Sequence, residues 1–322
     1  MEEHKIYRVY SEYLKEKYKE KVYKLPVNLP VTCPNRTDGM GGCIFCAEQG
    51  TGFEAISSAI GVKKQLEMTK EHIRKKYKAN LYIAYFQNYT NTYLPPDKFR
   101  EYMLAACEDE QIAELSVSTR PDCIHKIYLD ILKEIQEEYN KEITIELGLQ
   151  TVNYHTLTKI NRGHGLGEFL DSVLQISQYG FQICVHIILN LPYDTMEDVT
   201  ETARVLSALP IHMVKIHSLY VPKNTQLYKL VENGTISLGS KEEYLERLTV
   251  FVEQLRPDIV IERLFSRIPE KDSAFSNWGT SWWKLKDEWL LSMEEKGSYQ
   301  GIHYDYLHGA ALRKGGFISG ES

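Results

Sequence analysis

Short β-rich runs alternate with longer helical patterns over most of this 322-residue chain, and the alternation constrains the fold more than any other feature. We predict strands at residues 24–31, 81–87, 114–118, 143–149, 182–189 and 214–221, and helices at residues 59–76, 96–107, 124–139, 166–178, 196–208 and 241–255. We expect the strands to be apolar on both faces, as in buried parallel sheets. Strand–helix–strand units in this order form right-handed crossovers. The sequence therefore predicts an α/β fold, a partial (β/α)6 TIM-like barrel.

The sequence divides into three predicted parts. Residues 1–23 form an N-terminal helical segment, because tyrosines recur at helical spacing between Tyr7 and Tyr18. Residues 24–235 form the partial barrel. Residues 236–322 form a C-terminal α/β extension, which we expect to cap the barrel or to bind substrate.

Composition limits the class of protein. Hydrophobic residues make up 43% and charged residues 25% of the chain, which is enough apolar material for a large buried core. There is no apolar run of membrane-spanning length and no signal-peptide pattern, so we expect a cytoplasmic protein without membrane contact. The net charge of −6 argues against a uniformly basic nucleic-acid binder.

Three cysteines, Cys33, Cys43 and Cys46, are concentrated in one glycine-containing loop after the first predicted strand. Thiolates are ligands for zinc and for iron–sulfur clusters, and a Cys-x-x-Cys step lets two sulfurs reach one metal centre. A structural zinc site and a fully protein-ligated cubane each take four ligands. Three cysteines would leave one iron of a cubane open to an outside ligand. The loop therefore predicts a metal centre that one further ligand completes.

Polar residues follow the carboxyl ends of the same predicted strands, where the chemistry of parallel α/β proteins lies. They include Gln87, Asn88, Tyr89 and Thr90 after the second strand, Ser118 and Arg120 at the end of the third, and Gln150 and the later Arg162 after the fourth. Hydrogen-bonding groups around a metal loop suit a polar cofactor that carries ribose, amine and carboxylate groups.

These motifs resemble those of the radical S-adenosylmethionine (SAM) enzymes over about residues 24–227. The Cys-x9-Cys-x2-Cys spacing departs from the commoner Cys-x3-Cys-x2-Cys and is similar to that of the catalytic subunit of Elongator and its bacterial relatives. Further similarity lies in the runs Ser118-Thr-Arg-Pro-Asp122, Glu146-Leu-Gly-Leu-Gln-Thr151 and Asn161-Arg-Gly-His164. The run Gln87-Asn-Tyr-Thr-Asn-Thr-Tyr93 resembles a bacterial family of this length that lacks Elongator's acetyltransferase domain. The barrel implied is of the radical SAM type.

The resemblance also implies a role for each site residue. Cys33, Cys43 and Cys46 hold a four-iron four-sulfur (4Fe–4S) cluster, and the methionyl amine and carboxylate of SAM complete the fourth iron. The other cofactor-binding residues are Phe45 near the adenine, Gln87, Asn88, Tyr89 and Thr90 in the turn that binds the methionyl amine, Ser118 and Arg120 in the next motif, Gln150 at the ribose, Arg162 at the methionyl carboxylate, and His186. His186 is either ribose-facing or a core histidine bonded to backbone.

The implied reaction is the reductive cleavage of SAM to methionine and a 5′-deoxyadenosyl radical, which abstracts a hydrogen atom from the substrate. An electron donor such as a flavodoxin or a ferredoxin supplies the electron. The first step requires no acid–base pair, so we assign no catalytic residue. The sequence does not indicate the oligomeric state.

The resemblance to Elongator indicates tRNA as the substrate. The implied reaction changes the C5 side chain of the wobble uridine, for example from carboxymethylaminomethyl to aminomethyl. One alternative is the same radical chemistry on a peptide or a small metabolite. Another is a non-catalytic zinc-binding protein with His4 or His164 as the fourth ligand.

Two regions offer support for a nucleic-acid substrate. Residues 63–78 are basic, and the C-terminal part contains Arg263, Arg267 and the tryptophans Trp278, Trp282, Trp283 and Trp289 beside Lys284 and Lys286. Aromatic side chains among cations can stack on bases and contact phosphates. The alternatives are a solvated helix face for the first region and tryptophans that cap the barrel for the second.

Overall fold

The computed structural model describes residues 5–37, 41–46, 56–77, 79–268 and 273–318. Within these ranges the strands are β1 Val22–Val27, β2 Leu81–Phe86, β3 Ile112–Thr119, β4 Glu142–Gln150, β5 Gln182–Ile188, β6 Met213–His217, β7 Val221–Pro222, β8 Val260–Arg263 and β9 Ser273–Phe275. The α-helices are α1 Tyr10–Tyr18, α2 Pro34–Thr37, α3 Val62–Tyr77, α4 Pro96–Cys107, α5 Lys126–Tyr139, α6 Tyr154–Lys159, α7 Leu166–Ser177, α8 Met196–Ala208, α9 Gln226–Glu232, α10 Lys241–Gln254, α11 Trp282–Glu295 and α12 Ala310–Lys314.

The main sheet confirms the parallel α/β architecture. In the described part of the chain it contains seven strands in the order β1-β2-β3-β4-β5-β6-β8, and every neighbouring pair is parallel. The first six strands are neighbours in chain order. Outer helices connect them, as expected for consecutive right-handed crossovers.

Three sequence predictions about the strands are corrected. A seventh strand, β8, pairs with β6 and comes from the range that we assigned to the C-terminal extension; it was missed because Val260-Ile-Glu-Arg263 contains only two apolar residues. β6 ends at His217, and Val221–Pro222 pairs instead with β9 in a separate antiparallel sheet. β1 starts two residues earlier and ends four residues earlier than predicted, at Val22–Val27.

Contacts between the two edge strands show that the main sheet is curled into a partial barrel. Lys24 Nζ on β1 lies 2.7 Å from Glu262 Oε2 on β8. Neighbouring strands are about 4.8 Å apart, so six steps across a flat sheet would separate β1 and β8 by roughly 29 Å. Helix α1 contacts both edge strands, and the residue before it, Val9, pairs with Ile261 of β8. The N-terminal helix therefore lies across the seam between the two edges.

The two faces of the sheet differ, which corrects the expectation that the strands are apolar on both faces. In β4, Ile143, Ile145 and Leu147 belong to the main apolar core between the sheet and its helices. Thr144 and Glu146 alternate with them, are buried, and face the barrel interior. The interior face of β4 is therefore polar, and the main hydrophobic core lies outside the barrel. Among the residues described, no helix is both long enough and apolar enough to cross a membrane.

Candidate active site

Hydrogen bonds from the loop after β4 hold the cysteine loop over the carboxyl ends of the strands. Asn161 Nδ2 donates to the carbonyl of Gly42 at 2.7 Å, and Asn35 Nδ2 donates to the carbonyl of Asn161 at 2.6 Å. The amide of Ile44 donates to the carbonyl of Ile160 at 3.1 Å. The loop is thereby fixed at the end of the barrel where the sequence predicts a site.

The backbone beside Cys43 needs glycine. Gly41 has a φ of 74° and Gly42 a φ of 80°, in the left-handed region that other residues rarely adopt. The pair lets the chain turn sharply, so that Cys43 becomes buried next to Arg162, which follows β4.

A different guanidinium group lies near each of the three cysteine sulfurs. The pairs are Arg120 Nη1 and Cys33 Sγ at 3.5 Å, Arg162 Nη1 and Cys43 Sγ at 3.6 Å, and Arg36 Nη1 and Cys46 Sγ at 3.5 Å. Three positive charges so placed stabilise thiolates, the form of cysteine that binds metals. Burial raises the pKa of the Cys46 thiol and nearby Cys43 raises it further, whereas Arg36 opposes the rise. The donor set fits an iron–sulfur cluster held by three thiolates.

A cavity of about 190 Å³, the loop cavity, lies beneath this loop in the mouth of the barrel. Of the residues assigned to the site from the sequence, all except Asn88 line it: Cys33, Cys43, Phe45, Cys46, Gln87, Tyr89, Thr90, Ser118, Arg120, Gln150, Arg162 and His186. Asn88 is buried beside it and lines a different cavity.

The turn after β2 is built without glycine. Tyr89 adopts a left-handed φ of 55°, and Asn91 Nδ2 donates to the carbonyls of Phe86 and Ser118, both at 2.9 Å. Asn91, which sequence reasoning did not assign to the site, therefore ties the turn to the end of β3. An asparagine inside a turn is a signal that could have identified it, because its side chain readily bonds nearby backbone.

Two residues that line the loop cavity have buried polar atoms that a polar ligand could bind. Thr90 Oγ1 and Arg162 Nε are buried and lack a hydrogen-bond partner within the described ranges. Buried polar groups are normally paired, so both atoms are available to a ligand. A hydroxyl and a guanidinium N–H are groups that can bind the amine and the carboxylate of SAM.

Close packing positions Gln150 and Arg162. Arg162 Nη2 donates to the carbonyl of Gly148 at 2.6 Å, and a Cβ on Gly148 would lie only 2.7 Å from Nη2. The pairing of β4 with β5 shifts register between Gly148 and Gln150, and Gln150 has a φ of 81°. This left-handed conformation costs about 1–3 kcal/mol and is typical of functional sites.

Arg120 and His164 contact the loops that surround the site. Arg120 binds both carboxylate oxygens of Asp122, at 2.8 and 2.6 Å, and also donates to the carbonyl of Gly163. Arg120 thus joins the Cys33 loop to the loop after β4. The ring nitrogens of His164 lie 3.2 Å from the carbonyl oxygens of Gly165 and Gly148. His4, the other zinc ligand considered, lies outside the described residues.

His186 bonds to a carboxylate rather than to backbone. Its Nε2 lies 2.6 Å from Glu146 Oε2, and the ring also lines the loop cavity. Burial lowers the pKa of His186 and Lys215 lowers it further, while Glu146 opposes them. His186 is therefore a neutral group that faces the cavity and donates to Glu146.

Four charged side chains below the loop cavity form what we call the charge ring, Lys24, Glu146, Lys215 and Glu262. Lys24 contacts Glu146 at 2.6 Å and Glu262 at 2.7 Å, and Lys215 contacts both carboxylates at 2.8 Å. Burial favours protonation of Glu146, but Lys215 and Lys24 outweigh it and hold its pKa well below the usual range. The ring is neutral and joins strands β1, β4, β6 and β8. A charged residue amid apolar strand residues is the signal that could have predicted it.

A second cavity of about 860 Å³, the seam cavity, lies between α1 and the edge strands. It shares with the loop cavity the wall residues Tyr85, Gln87, Lys215, Arg263 and Arg267. The two cavities are therefore adjacent at the open side of the barrel.

Some residues of the two regions predicted to contact nucleic acid are buried or paired within the protein, and others are exposed or line the seam cavity. In α3, Lys64 pairs with Glu67 at 3.1 Å and Lys75 with Glu71 at 2.7 Å, as on a solvated helix face; Lys78 lies outside the described residues. Trp289 is buried and donates to Thr249 at 3.0 Å, and Trp278 donates to the carbonyl of Gly239 at 2.8 Å. Trp283 is half exposed, and Trp282 lines the seam cavity with Arg267 4.0 Å above its ring.

Comparison with known proteins matches the chain to two family models. The Radical SAM superfamily model matches residues 27–206, and the Radical_SAM C-terminal domain model matches residues 211–295. The protein MJ0486 of Methanocaldococcus jannaschii is 33% identical over 302 residues, which cover 93% of this chain and 92% of that protein.

Two further matches are with a tRNA uridine(34) acetyltransferase and with an archaeal Elp3 structure. The tRNA uridine(34) acetyltransferase of Methanocaldococcus jannaschii is 25% identical over 142 residues, 43% of this chain and 25% of that protein. The structure of Methanocaldococcus infernus Elp3 superposes with a TM-score of 0.64 at 16% identity, covering 87% of this chain. The matched part is 64% of that archaeal chain, and the likeness concerns the fold.

Proposed function

Because this chain belongs to the radical SAM superfamily and is an enzyme related to Elp3, we propose that it modifies the C5 side chain of the wobble uridine in tRNA. The specific reaction proposed converts a carboxymethylaminomethyl group to an aminomethyl group. Loss of one hydrogen atom and one further electron from the carboxymethyl methylene, with release of the amine proton, would give an imine, and water would split this imine into the aminomethyl group and glyoxylate; SAM would take up the hydrogen atom as 5′-deoxyadenosine, and the oxidised cluster would take up the electron. A flavodoxin or a ferredoxin is the proposed electron donor.

The cofactors are a 4Fe–4S cluster and SAM, as in the superfamily. When bound, they supply a carbon radical strong enough to take hydrogen from an unactivated carbon. Cys33, Cys43 and Cys46 would hold the cluster, each beside an arginine. Arg162 and Thr90, with buried atoms that have no partner among the described residues, would hold the polar groups of SAM.

The chain's own residues orient the ligand and keep it from water. Arg162 is held by the carbonyl of Gly148, so its guanidinium plane is fixed before a carboxylate binds. Fixed geometry reduces the entropy lost when reacting groups are brought together. Phe45 and His186 line the same cavity and offer an apolar face and a neutral polar face, respectively.

The observation that carries the substrate proposal is the seam cavity. It is lined by several cations, including Lys15, Lys21 and Lys286, and by aromatic rings, and it adjoins the loop cavity. Such a lining suits a base and its phosphates. The relative named tRNA uridine(34) acetyltransferase provides separate support.

We also propose that the three parts of the chain serve this site. Residues 24–235 supply the cofactor site, the described part of residues 1–23 covers the seam, and the described part of residues 236–322 closes the substrate side. Contacts of α1 with β1 and β8, and the position of Trp282 in the seam cavity, support this division.

The test compares nucleosides from the tRNA of a deletion strain and its parent by liquid chromatography and mass spectrometry. We expect the deletion strain to accumulate carboxymethylaminomethyluridine and to lose aminomethyluridine. Wild-type protein should restore the parent profile and Cys43→Ala should not. Cys107→Ala, a buried cysteine outside both cavities, is the matched control and should restore it. Unchanged wobble uridines in the deletion strain would exclude tRNA and direct attention to a peptide or small-metabolite substrate.

A further inference from the structure

Arg263, the last residue of β8, lies where the loop cavity and the seam cavity meet. It is half-buried and lines both cavities. It pairs in register with Lys215 on β6, next to the charge ring. Its side chain is therefore at the place where a substrate in the seam cavity would approach the cofactor site.

The charges around Arg263 are already balanced without it. In the charge ring each lysine contacts both glutamates, so no carboxylate of the ring is left for another cation. Throughout the part of the chain that the structure describes, Arg263 takes part in no ion pair and no side-chain hydrogen bond. The other arginines of the loop cavity differ from it: Arg36, Arg120 and Arg162 lie beside cysteine sulfurs, and Arg267 stacks on Trp282.

His217, a titratable neighbour of Arg263, does not compensate this charge. Burial and His186 hold the pKa of His217 well below its usual range, and Arg263 contributes to the same lowering. His217 is therefore neutral beside Arg263. A half-buried cation without a counter-ion is costly, and an anionic ligand removes that cost.

We propose that Arg263 binds the carboxylate at the end of the uridine side chain and thereby selects carboxymethylaminomethyluridine as the substrate. This inference rests on the proposed function, which supplies a substrate with that carboxylate. The planar guanidinium fork matches a carboxylate through two parallel hydrogen bonds.

The oxyanion could also come from a phosphate of the tRNA backbone, and position argues for the carboxylate. Arg263 is half-buried where the two cavities meet, whereas Lys15 and Lys21 are exposed and line only the seam cavity. The exposed cations suit the phosphates of a folded tRNA, and the inner arginine suits a group carried on the base itself.

The experiment measures tRNA binding by the anaerobic, cluster-loaded enzyme with SAM present. The two probes are tRNA bearing carboxymethylaminomethyluridine, from the deletion strain, and tRNA bearing aminomethyluridine, which lacks the carboxylate. Wild-type enzyme should prefer the first by about tenfold or more, as expected for charge-assisted hydrogen bonds. Arg263→Gln should lower this preference to near one and leave the Kd for aminomethyl tRNA within about twofold of wild type. Arg263→Lys should retain part of the preference.

Arg100→Gln is the matched control, because Arg100 pairs with Glu134 and lines neither cavity. It should leave both Kd values unchanged. Iron content and SAM binding by equilibrium dialysis, measured on each variant, establish that the site is assembled.

Three results would overturn the assignment of Arg263. Equal weakening of both tRNAs by Arg263→Gln would mean that Arg263 contacts a phosphate. Loss of SAM binding with the tRNA preference intact would place Arg263 on the cofactor. If Arg263→Gln keeps the full preference for carboxymethylaminomethyl tRNA, Arg263 takes no part in substrate recognition. Failure of the proposed function itself would look different, because wild-type enzyme would then show no preference and convert neither tRNA.

Discussion

Arg162 Nη2 donates a 2.6 Å hydrogen bond to the carbonyl of Gly148, so that a strand residue without a side chain fixes the arginine beside Cys43. The space for a Cβ on Gly148 is taken by the guanidinium of Arg162 and by Gln150 Nε2, 2.7 and 3.1 Å away. Gly148 and Gln150 of one sequence motif are thus packed against Arg162 of the next motif.

Gly148→Ala should displace both Arg162 and Gln150 and lower SAM affinity by about tenfold or more, because each charge-assisted hydrogen bond contributes roughly 1.5–3 kcal/mol. The cluster should still assemble, since the three cysteines are untouched. Equilibrium dialysis with labelled SAM and iron analysis provide the two readouts. Gly167→Ala is the matched control, because nothing lies within 4 Å of an added Cβ there. Unchanged SAM affinity in Gly148→Ala would contradict the packing argument.

Arg162→Gln should weaken SAM binding more than Arg162→Lys. Glutamine removes the positive charge, whereas lysine keeps the charge and removes only the planar guanidinium geometry that matches a carboxylate. Electron paramagnetic resonance of the reduced cluster, with and without SAM, should show a reduced spectral response to SAM in both variants. Arg204→Gln, an exposed arginine on α8, is the control. If Arg162→Gln responds to SAM as wild type does, another residue binds the methionyl carboxylate.

The charge ring should contribute strongly to stability. Lys24→Met removes one of two cations between the buried carboxylate of Glu146 and the largely buried carboxylate of Glu262, and breaking a buried ion pair in this way costs about 3–5 kcal/mol. Urea unfolding, followed by circular dichroism, measures the loss. Lys5→Met removes a surface pair with Glu12 and should lower the free energy of unfolding far less, because solvent screens exposed pairs. Equal effects of the two substitutions would mean that the ring is not desolvated.

Stability should fall as the pH is lowered from about 6.5 to about 4. Burial and Arg162 lower the pKa of His164 to about 4, below its ordinary value of 6.5. The unfolded chain then binds more protons than the folded chain between about pH 4 and pH 6.5. The contribution of His164 to the free energy of unfolding is therefore complete above pH 6.5 and is lost as the pH falls through this range. Burial lowers the pKa of His186, His212 and His217 as well, so they act in the same direction.

The measurement is the free energy of unfolding of the cluster-free protein between pH 4 and pH 7. His164→Gln should flatten part of the slope, whereas His72→Gln, at an exposed position on α3, should leave it unchanged. A slope that is the same in all three proteins would show that His164 is protonated or accessible in the folded state.

Local patterns predicted much of this molecule because local physics determines them. The six consecutive strands, the cysteine loop and the polar strand ends follow from short-range periodicity and from the rule that parallel strands end at one edge. The predicted site residues that follow the strand ends, except Asn88, line one cavity for that reason, whereas Phe45 and His186, which also line it, were assigned from the family resemblance. Asn88 differs because the tight turn at Tyr89 buries its side chain elsewhere.

Long-range relationships could not be predicted in the same way. The charge ring joins Lys24 to residues 122 and 238 positions later, a distance at which no periodic pattern links them. Strand β8 is only four residues long, so its identity depends on β6 and on the segment before α1, which pair with it. The seam cavity and the position of Arg263 depend on the same late strand.

The most direct measurement incubates the anaerobically reconstituted enzyme with SAM, a reductant and tRNA from the deletion strain. We expect carboxymethylaminomethyluridine to decrease while aminomethyluridine and 5′-deoxyadenosine increase, and Cys43→Ala to produce none of these changes. Formation of 5′-deoxyadenosine with the wobble uridine unchanged would exclude the proposed reaction, because the radical chemistry would then act on a different substrate.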